Sequence, residues 1–334
     1  MDEVYDVVVI GGGAAGLSGA VALARSRRSV LVLDAGEPRN ALAGHVHNFL
    51  TRDNVPPEQV YTTGRGEVVK YGGRIEQVRV EDLRRVGVGF EVKIGDRRVT
   101  ARRVLLATGA RDELPEIEGL ARWWGTGVLH CAYCHGWEVR DRRLGILATG
   151  PMAVHQALLF RQLSPHVTFL AHAGPAPHAQ QLDQFGALGV PVVTGTVERV
   201  EFDASGVTGV RLADGSHVRL DALIVAPRCV ARAELVVPLG LRATEVRLDG
   251  HLVGTKVEAD ATGATRVPGL WVAGNIVDIQ AHVISAAAAG LAAAVAINSD
   301  LVATDAAHAM RAHQAKASIP HPTKAANQPA EVTT

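Results

Sequence analysis

The sequence is short of the features that mark several protein classes. Its 334 residues include only three cysteines, and lysine plus arginine equal aspartate plus glutamate at 34 each. Balanced charge without blocks of one sign gives no footprint for nucleic acid or for an anionic membrane surface. No run approaches the roughly 20 apolar residues of a membrane span, and the acidic start MDEVYDVVVI lacks the basic region of a signal peptide. We therefore expect a cytoplasmic protein with no nucleic-acid or membrane partner.

Two of the three cysteines lie close together. Cys131 and Cys134 occur in LHCAYCHGWE, and Cys229 is isolated. In a compartment that keeps thiols reduced, a C-x-x-C pair binds metal or does chemistry. A tetrahedral zinc site needs four ligands, and the sequence has no second cysteine pair. His130 and His135 flank the pair, but adjacent residues rarely converge on one ion with both cysteines. We expect a redox dithiol and no metal site.

The N-terminal segment YDVVVIGGGAAGLSGAVALARSRRSVLVLDAG predicts a strand, a glycine turn, a helix and a second strand. Gly11, Gly13 and Gly16 match G-x-G-x-x-G, and Asp34 follows Gly16 by 18 residues. Gly11 permits the tight turn, and Gly13 lets backbone N–H groups approach a pyrophosphate at the helix N-terminus. Gly16 allows close helix packing, and Asp34 can accept a hydrogen bond from a ribose hydroxyl. Because Asp34 disfavours a 2′-phosphate, the expected cofactor is FAD or NAD.

Two later segments favour FAD. RRVLLATGARDELPEIEGL predicts an apolar strand that ends in Ala-Thr-Gly at 107–109. Near the other end, a strand at 270–273 leads into the turn Gly-Asn at 274–275 and a long helix of small residues. Small side chains would let that helix lie close to a cofactor or a sheet. Each segment alone also fits ordinary α/β packing, but together they form one set of motifs.

The order of these motifs resembles the low-molecular-weight thioredoxin reductase family over residues 1–301. HCAYCHGWE, with NFLTRDNVPP upstream, looks most like its dithiol oxidase branch, the holomycin and gliotoxin type. The resemblance implies an α/β fold with two Rossmann-like three-layer domains and a homodimer. The FAD-binding domain would comprise 1–113 and 244–301, interrupted by an inserted, degenerate NADPH-type domain at 114–243 that carries the C-x-x-C pair. The polar, proline-containing segment 302–334 predicts a disordered tail.

The second unit departs from the reductase pattern. In GILATGPMA the first fingerprint glycine is replaced by Ala148, and Pro151 removes a backbone N–H from the phosphate cradle. After the next strand, His172 stands where a reductase needs paired arginines for the 2′-phosphate. We predict that NADPH binds poorly. The alternative, that a distant cation such as Arg161 substitutes, stays open.

The resemblance also assigns catalytic roles. Cys134 would be the flavin-proximal thiol, and Cys131 the outer thiol that exchanges with substrate. Where reductases of the family commonly carry an acid after the second cysteine, this chain has His135, which could take the substrate thiol proton. His130 is the second candidate for that role. The alternative for either imidazole is a side chain that points away and stabilises a turn.

The remaining assignments concern the cofactor. Asn275 replaces an acid that bonds the flavin ribityl chain, and its carbonyl oxygen can accept the same bond. His282, at the start of the last helix, either adds positive charge near the flavin N1 and O2 edge or packs. The expected FAD-binding residues are Gly11, Gly13, Ala14, Ala15, Gly16, Asp34, Ala35, Asn48, Ala107, Thr108, Gly109, Gly274, Asn275, His282 and Val283.

The function expected from these features is a dithiol oxidase. A small-molecule dithiol and oxygen would give a disulfide and hydrogen peroxide through the cysteine pair and FAD. One alternative is a disulfide reductase fed by NADPH or by another donor such as ferredoxin. Another is a non-catalytic flavin-bound redox sensor. Anaerobic mixing with NADPH and with a dithiol separates them.

Overall fold

The computed structural model describes residues 4–317, which form nineteen strands and six α-helices. The strands are β1 (Val4–Ile10), β2 (Val30–Asp34), β3 (Arg74–Gln77), β4 (Asp82–Val86), β5 (Gly89–Ile94), β6 (Arg97–Leu106), β7 (Ala110–Glu113), β8 (Val128–Leu129), β9 (Leu144–Leu147), β10 (Val167–Ala171), β11 (Val192–Thr194), β12 (Val197–Asp203), β13 (Gly206–Leu212), β14 (His217–Arg219), β15 (Ala222–Val225), β16 (Arg228–Ala231), β17 (Ala243–Leu248), β18 (His251–Val257) and β19 (Leu270–Val272). The helices are α1 (Ala14–Arg25), α2 (Pro57–Lys70), α3 (Ala132–His135), α4 (Met152–Leu163), α5 (Ala179–Leu188) and α6 (Val283–Ala317).

The first unit is built on a seven-stranded sheet in the order β3-β2-β1-β6-β5-β4, with β19 beside β6. Strands β1, β2, β3, β6 and β19 run parallel. β1 is apolar at successive positions because both faces of the sheet are covered. Val7 and Val9 pack with α1 and α6 on one face, and Val8 and Ile10 pack with the opposite layer. The predicted dinucleotide-binding topology is confirmed.

The second unit is a parallel five-stranded sheet in the order β11-β10-β9-β15-β8. Its central strands, LGIL in β9 and ALIV in β15, are buried at every position. Helices α4 and α5 contribute Phe160 and Phe185 to one of its cores, and the antiparallel sheet β12-β13-β14 packs on the other side. A second Rossmann-like unit is therefore present, as expected.

The chain enters and leaves the second unit through β7 and β16, neighbouring strands of a four-stranded sheet in the order β17-β18-β16-β7. β7 pairs antiparallel with β16, which places Glu113 opposite Arg228. From the end of β16 onward, Ala231, Val236 and Leu241 lie in the same hydrophobic cluster as the first sheet. The domain boundaries at 113 and 244 stay a prediction, but this packing favours an insertion that ends near Val225.

The last helix corrects one expectation. α6 runs to Ala317, so the predicted disordered tail is wrong for residues 302–317, and residues 318–334 lie outside the described part of the chain. The segment is rich in alanine, a strong helix former. Asp305 also forms ion pairs with Arg28 and Arg102. By length and composition α6 could cross a membrane, a criterion that core helices of water-soluble proteins also meet.

Candidate active site

The predicted site residues surround one cleft of about 1950 Å³ between the two units. Of all the cofactor and catalytic residues named from the sequence, only Gly16 does not line it. Gly16 lies behind the cleft, where an added Cβ would come within 1.9 Å of the Gly11 carbonyl oxygen. This close approach is the helix-packing role expected of the third fingerprint glycine.

The glycine turn after β1 forms one end of the cleft. Gly11 has φ +109°, and an added Cβ there would lie 2.3 Å from the Ala107 carbonyl oxygen. Gly13, by contrast, precedes α1 with no side-chain cap, and an added Cβ would meet nothing within 4 Å. The first-turn N–H groups of α1 have no intrahelical acceptor, so they are available to an anion in the cleft. The turn fits a pyrophosphate.

Asp34 ends β2 beside this turn. Its Oδ1 accepts a hydrogen bond from the Gly36 N–H at 3.1 Å, and its Oδ2 would lie 2.4 Å from a Cβ added to Gly12. The carboxylate therefore sits against the glycine turn and retains capacity to accept further hydrogen bonds. This position fits a ribose next to the pyrophosphate.

Asn275 lines the cleft in a turn that packs against the start of α1, where a Cβ added to Gly274 would lie 3.0 Å from the Ala15 Cβ. Its Nδ2 donates to the carbonyl oxygens of Asp278 and Ala281, both at 3.0 Å. These two bonds fix the amide orientation and leave Oδ1 as the free acceptor, as the sequence predicts. α6 begins at Val283, immediately after this turn. Taken with the glycine turn and Asp34, these residues fit FAD, which needs a phosphate cradle and acceptors for both sugar chains.

The cysteine pair also lines the cleft. Cys131 caps the short helix α3, in which the N–H groups of Cys134 and His135 donate to the Cys131 carbonyl oxygen at 3.2 and 3.1 Å. Both thiols are free and half-buried. The Cys131 Sγ lies 3.8 Å from His282 Nε2. A histidine 151 positions away in sequence thus approaches the outer cysteine.

The two thiols differ in acidity. The pKa of Cys131 is lowered to about 6, chiefly by a hydrogen bond from the Cys134 thiol. Burial opposes this shift, and His282 contributes to it. The pKa of Cys134 is raised, because its proton is held in the hydrogen bond to Cys131 and because the group is buried. Since the thiolate is the nucleophile, Cys131 is the reactive member of the pair near neutral pH.

The two flanking histidines are partly buried. Burial, followed by the charge of Arg39, lowers the pKa of His130 to about 4. Burial also lowers the pKa of His135, and neither of its ring nitrogens has a hydrogen-bond partner among residues 4–317. Both imidazoles are therefore neutral at pH 7. Their assignment as proton acceptors stays a prediction, and the distance to Cys131 favours His282, which the sequence assigned to the flavin.

The sequence offered no sign of a half-buried ion pair among the residues that line the cleft. Arg39 Nη2 lies 2.6 Å from Asp112 Oδ1, and Arg39 Nε lies 3.0 Å from Asp112 Oδ2. Asp112 is paired in register with Cys229, whose buried thiol has its pKa raised to about 11. The charge of Arg39 acts on Cys134 as well, in the direction that favours a thiolate. Arg39 and Asp112 are 73 positions apart in sequence, so no local pattern could predict their contact.

The loop at 45–54 supports the redox helix. The Asn48 Nδ2 donates to the Tyr133 carbonyl oxygen, and His47 Nε2 lies 3.5 Å from Glu138 Oε1. Asn48 has φ +57°, a conformation that asparagine tolerates better than most residues. The contact of Asn48 with the flavin stays a prediction. What its amide does in this structure is hold α3 against the first unit.

The second unit opens onto the same cleft at the loop after β9. Gly150, Pro151 and Met152 line it, and Pro151 caps α4 without a backbone N–H to offer. His172, at the end of β10, accepts a hydrogen bond from the Val197 N–H through Nδ1 at 2.9 Å. Burial lowers the pKa of His172, so a neutral imidazole occupies the position where a 2′-phosphate would need a cation.

The chain is similar to known proteins over most of its length. Residues 5–294 match the pyridine nucleotide-disulphide oxidoreductase family. The crystal structure of HlmI superposes with a TM-score of 0.86 and 42% sequence identity, covering 94% of this chain and 97% of that chain. Thioredoxin reductase sirT of Leptosphaeria maculans is 30% identical over 91% of this chain and 96% of its own length. Thioredoxin reductase tcpT of Claviceps purpurea is 32% identical over 72% and 78%.

Proposed function

The chain belongs to the pyridine nucleotide-disulphide oxidoreductase family, and within that family we propose that it is a dithiol oxidase that closes a disulfide in a small molecule. It is a thioredoxin reductase-like flavoprotein, an FAD-dependent thiol–disulfide oxidoreductase. The observation that carries the oxidase proposal is the second unit. With Pro151 in the phosphate loop and a neutral His172 after β10, it offers little to NADPH.

The cysteine pair performs the exchange chemistry. With the pair oxidised, a substrate thiolate attacks the Cys131 sulfur, a mixed disulfide forms, and Cys134 leaves as a thiolate. The second substrate thiolate attacks the substrate sulfur of that mixed disulfide, the product disulfide forms, and Cys131 leaves. The pair is then reduced by the two electrons that the substrate has lost. Bound FAD would accept this electron pair and pass it to oxygen, giving hydrogen peroxide.

Proton transfer accompanies the attack on Cys131. The substrate thiol must lose its proton before it becomes nucleophilic. His282 Nε2 lies 3.8 Å from the Cys131 sulfur, close enough to exchange a proton with a thiol bound there. We assign His282 the acceptance of that proton, with His135 and His130 as the earlier candidates.

The surroundings of α3 favour a small apolar substrate. Tyr133, two residues from Cys131, lines the cleft and is 61% exposed, and Trp137, two residues after the end of α3, is 66% exposed. A substrate with rings or aliphatic groups around its two thiols would cover this surface. A protein substrate such as thioredoxin is the competing class, and the names of the sirT and tcpT relatives favour it.

We further propose a cytoplasmic homodimer. On α6, the exposed apolar side chains of Ile284, Leu291, Val295 and Val302 recur at spacings of 7, 4 and 7 residues. This spacing places them along one stripe of the helix. A second copy of the chain would cover the stripe.

Anaerobic titration of the purified yellow protein tests the oxidase. A small dithiol such as dithiothreitol should bleach the flavin absorbance, and admission of air should consume one oxygen and yield one hydrogen peroxide per disulfide. NADPH should leave the flavin coloured. Cys134→Ser should retain FAD but lose turnover, whereas the matched control Cys229→Ser should keep it. Rapid bleaching by NADPH would instead identify a reductase, and a protein inert to both reagents would be a sensor.

A further inference from the structure

Three metal-ligating atoms converge at the redox pair. The Sγ atoms of Cys131 and Cys134 and a ring nitrogen of His282 all lie within 4.8 Å of one another. His282 immediately precedes α6, far along the chain, so its spacing from the cysteines does not mark it as a ligand. Two thiolates and one imidazole are a ligand set typical of zinc and unsuited to magnesium or calcium.

The spacing of these atoms is close to that of a zinc tetrahedron. With Zn–S bonds of about 2.3 Å and Zn–N bonds of about 2.05 Å, the sulfur–nitrogen edge is about 3.5 Å and the sulfur–sulfur edge about 3.8 Å. The Cys131 Sγ to His282 Nε2 distance is 3.8 Å, so an adjustment of about 0.3 Å would meet the first requirement. The other two edges, from each cysteine sulfur to its remaining partner, are no longer than 4.8 Å.

We propose that the reduced cysteine pair and His282 form a zinc site, and that this site exists only while the pair is reduced. In the disulfide the two sulfurs are about 2.05 Å apart and have no thiolate to offer, so the site is dismantled on oxidation. Binding converts two thiols and Zn²⁺ into a bis-thiolate complex and two protons, with no electron transferred. Three protein ligands leave the fourth position to water, the pattern of an exchangeable site.

The consequence is a reversible block on thiol chemistry. Zinc would occupy both sulfurs and hold the pair in the reduced state, so neither thiol could react with a disulfide or transfer electrons. This effect does not depend on whether the protein works as an oxidase or as a reductase. Zinc binding at this site can therefore be tested separately from the proposed function.

The experiment uses the FAD-containing protein, reduced under argon with a phosphine, which binds zinc poorly compared with a dithiol reagent. Cobalt(II) serves as the probe, because thiolate ligation gives a charge-transfer absorption and tetrahedral geometry gives strong visible bands. One cobalt per reduced chain is expected, with none bound by the oxidised protein. Zinc should displace it, and a chromogenic chelator should recover both metals.

Variants identify the ligands. Cys131→Ser and Cys134→Ser should each abolish the charge-transfer band, and His282→Ala should weaken zinc binding by at least about tenfold. His282→Gln keeps the size and polarity of the side chain but is a poor zinc ligand, so it should behave like His282→Ala. Cys229→Ser is the matched control and should bind normally. Retention of flavin absorbance shows that each variant is folded.

Three results would overturn the site. The first is equal binding by oxidised and reduced protein, because the site requires two separate thiolates. The second is unchanged affinity in both His282 variants, which would reduce the site to an ordinary dithiol. The third is the absence of a charge-transfer band in the reduced parent protein.

Discussion

Replacing Cys134 by alanine should make Cys131 a much weaker acid. The Cys134 thiol is the main cause of the low Cys131 pKa of about 6, compared with an ordinary value of 9.0. At pH 7 a pKa of about 6 leaves roughly nine-tenths of Cys131 as thiolate, whereas a pKa near 9 leaves roughly one-hundredth. Because burial already opposes the thiolate, loss of the hydrogen bond should return the pKa to the ordinary range or above.

The change in rate is smaller than the change in thiolate population. Intrinsic nucleophilicity rises with pKa by about 0.4–0.5 logarithmic units per pKa unit, which recovers about 16- to 30-fold of the roughly 90-fold loss. The rate of reaction with a small disulfide reagent at pH 7 should therefore fall only about three- to sixfold. The pH midpoint is the sharper readout, since the rate should rise through pH 6 in the parent protein and only above pH 8 in the variant.

The assay is stopped-flow measurement of thiol release between pH 5 and 10 on reduced protein that contains FAD. A Cys229→Ala background removes the remaining thiol, which is buried and has a pKa of about 11. The reasoning fails if the parent protein titrates near pH 9, or if Cys134→Ala keeps a midpoint near 6. In the second case His282 would be the main source of the acidity.

Other perturbations test the cleft and the assembly. Gly13→Ala should fold but lose FAD on gel filtration, since its methyl enters the open cradle, whereas Gly16→Ala should lower the unfolding temperature because of the contact with the Gly11 carbonyl. Asp112→Ala leaves the half-buried Arg39 without its partner and should cost about 1–3 kcal/mol of unfolding free energy in denaturant titrations, and a loss under about 0.5 kcal/mol would contradict a stabilising role for the pair. Leu291→Glu should halve the mass seen by light scattering, and an unchanged dimer would place the interface elsewhere.

Features encoded by short segments were predictable. The glycine turn and Asp34 lie within one strand–turn–helix–strand unit, and the C-x-x-C pair lies within one strand and one short helix, so a short sequence window shows each of them. The two Rossmann-like units follow from apolar runs at strand length, because a parallel sheet covered on both faces requires them. These elements brought the cofactor and the outline of the site within reach of the sequence.

Features that depend on segments far apart in the sequence were not predictable. His282 meets Cys131 only because α6 starts at the edge of the first sheet, and no periodicity encodes that meeting. The Arg39–Asp112 pair has the same origin. The helical extension to Ala317 was missed for another reason, because the polar, proline-containing composition of the segment suggested disorder. Its alanine content and the ion pair of Asp305 with Arg28 favour a helix.

The pairing of β7 with β16 has a consequence for how the second unit is inserted. Because Glu113 and Arg228 lie opposite each other, the residues between them leave the flavin-binding unit and return to it at one place. Such a module can be swapped, shortened or excised without rerouting the remaining chain. Joining β7 to β16 through a two-residue hairpin turn would leave a continuous flavin-binding unit. Its yellow colour on purification would show that this unit folds without the inserted second unit.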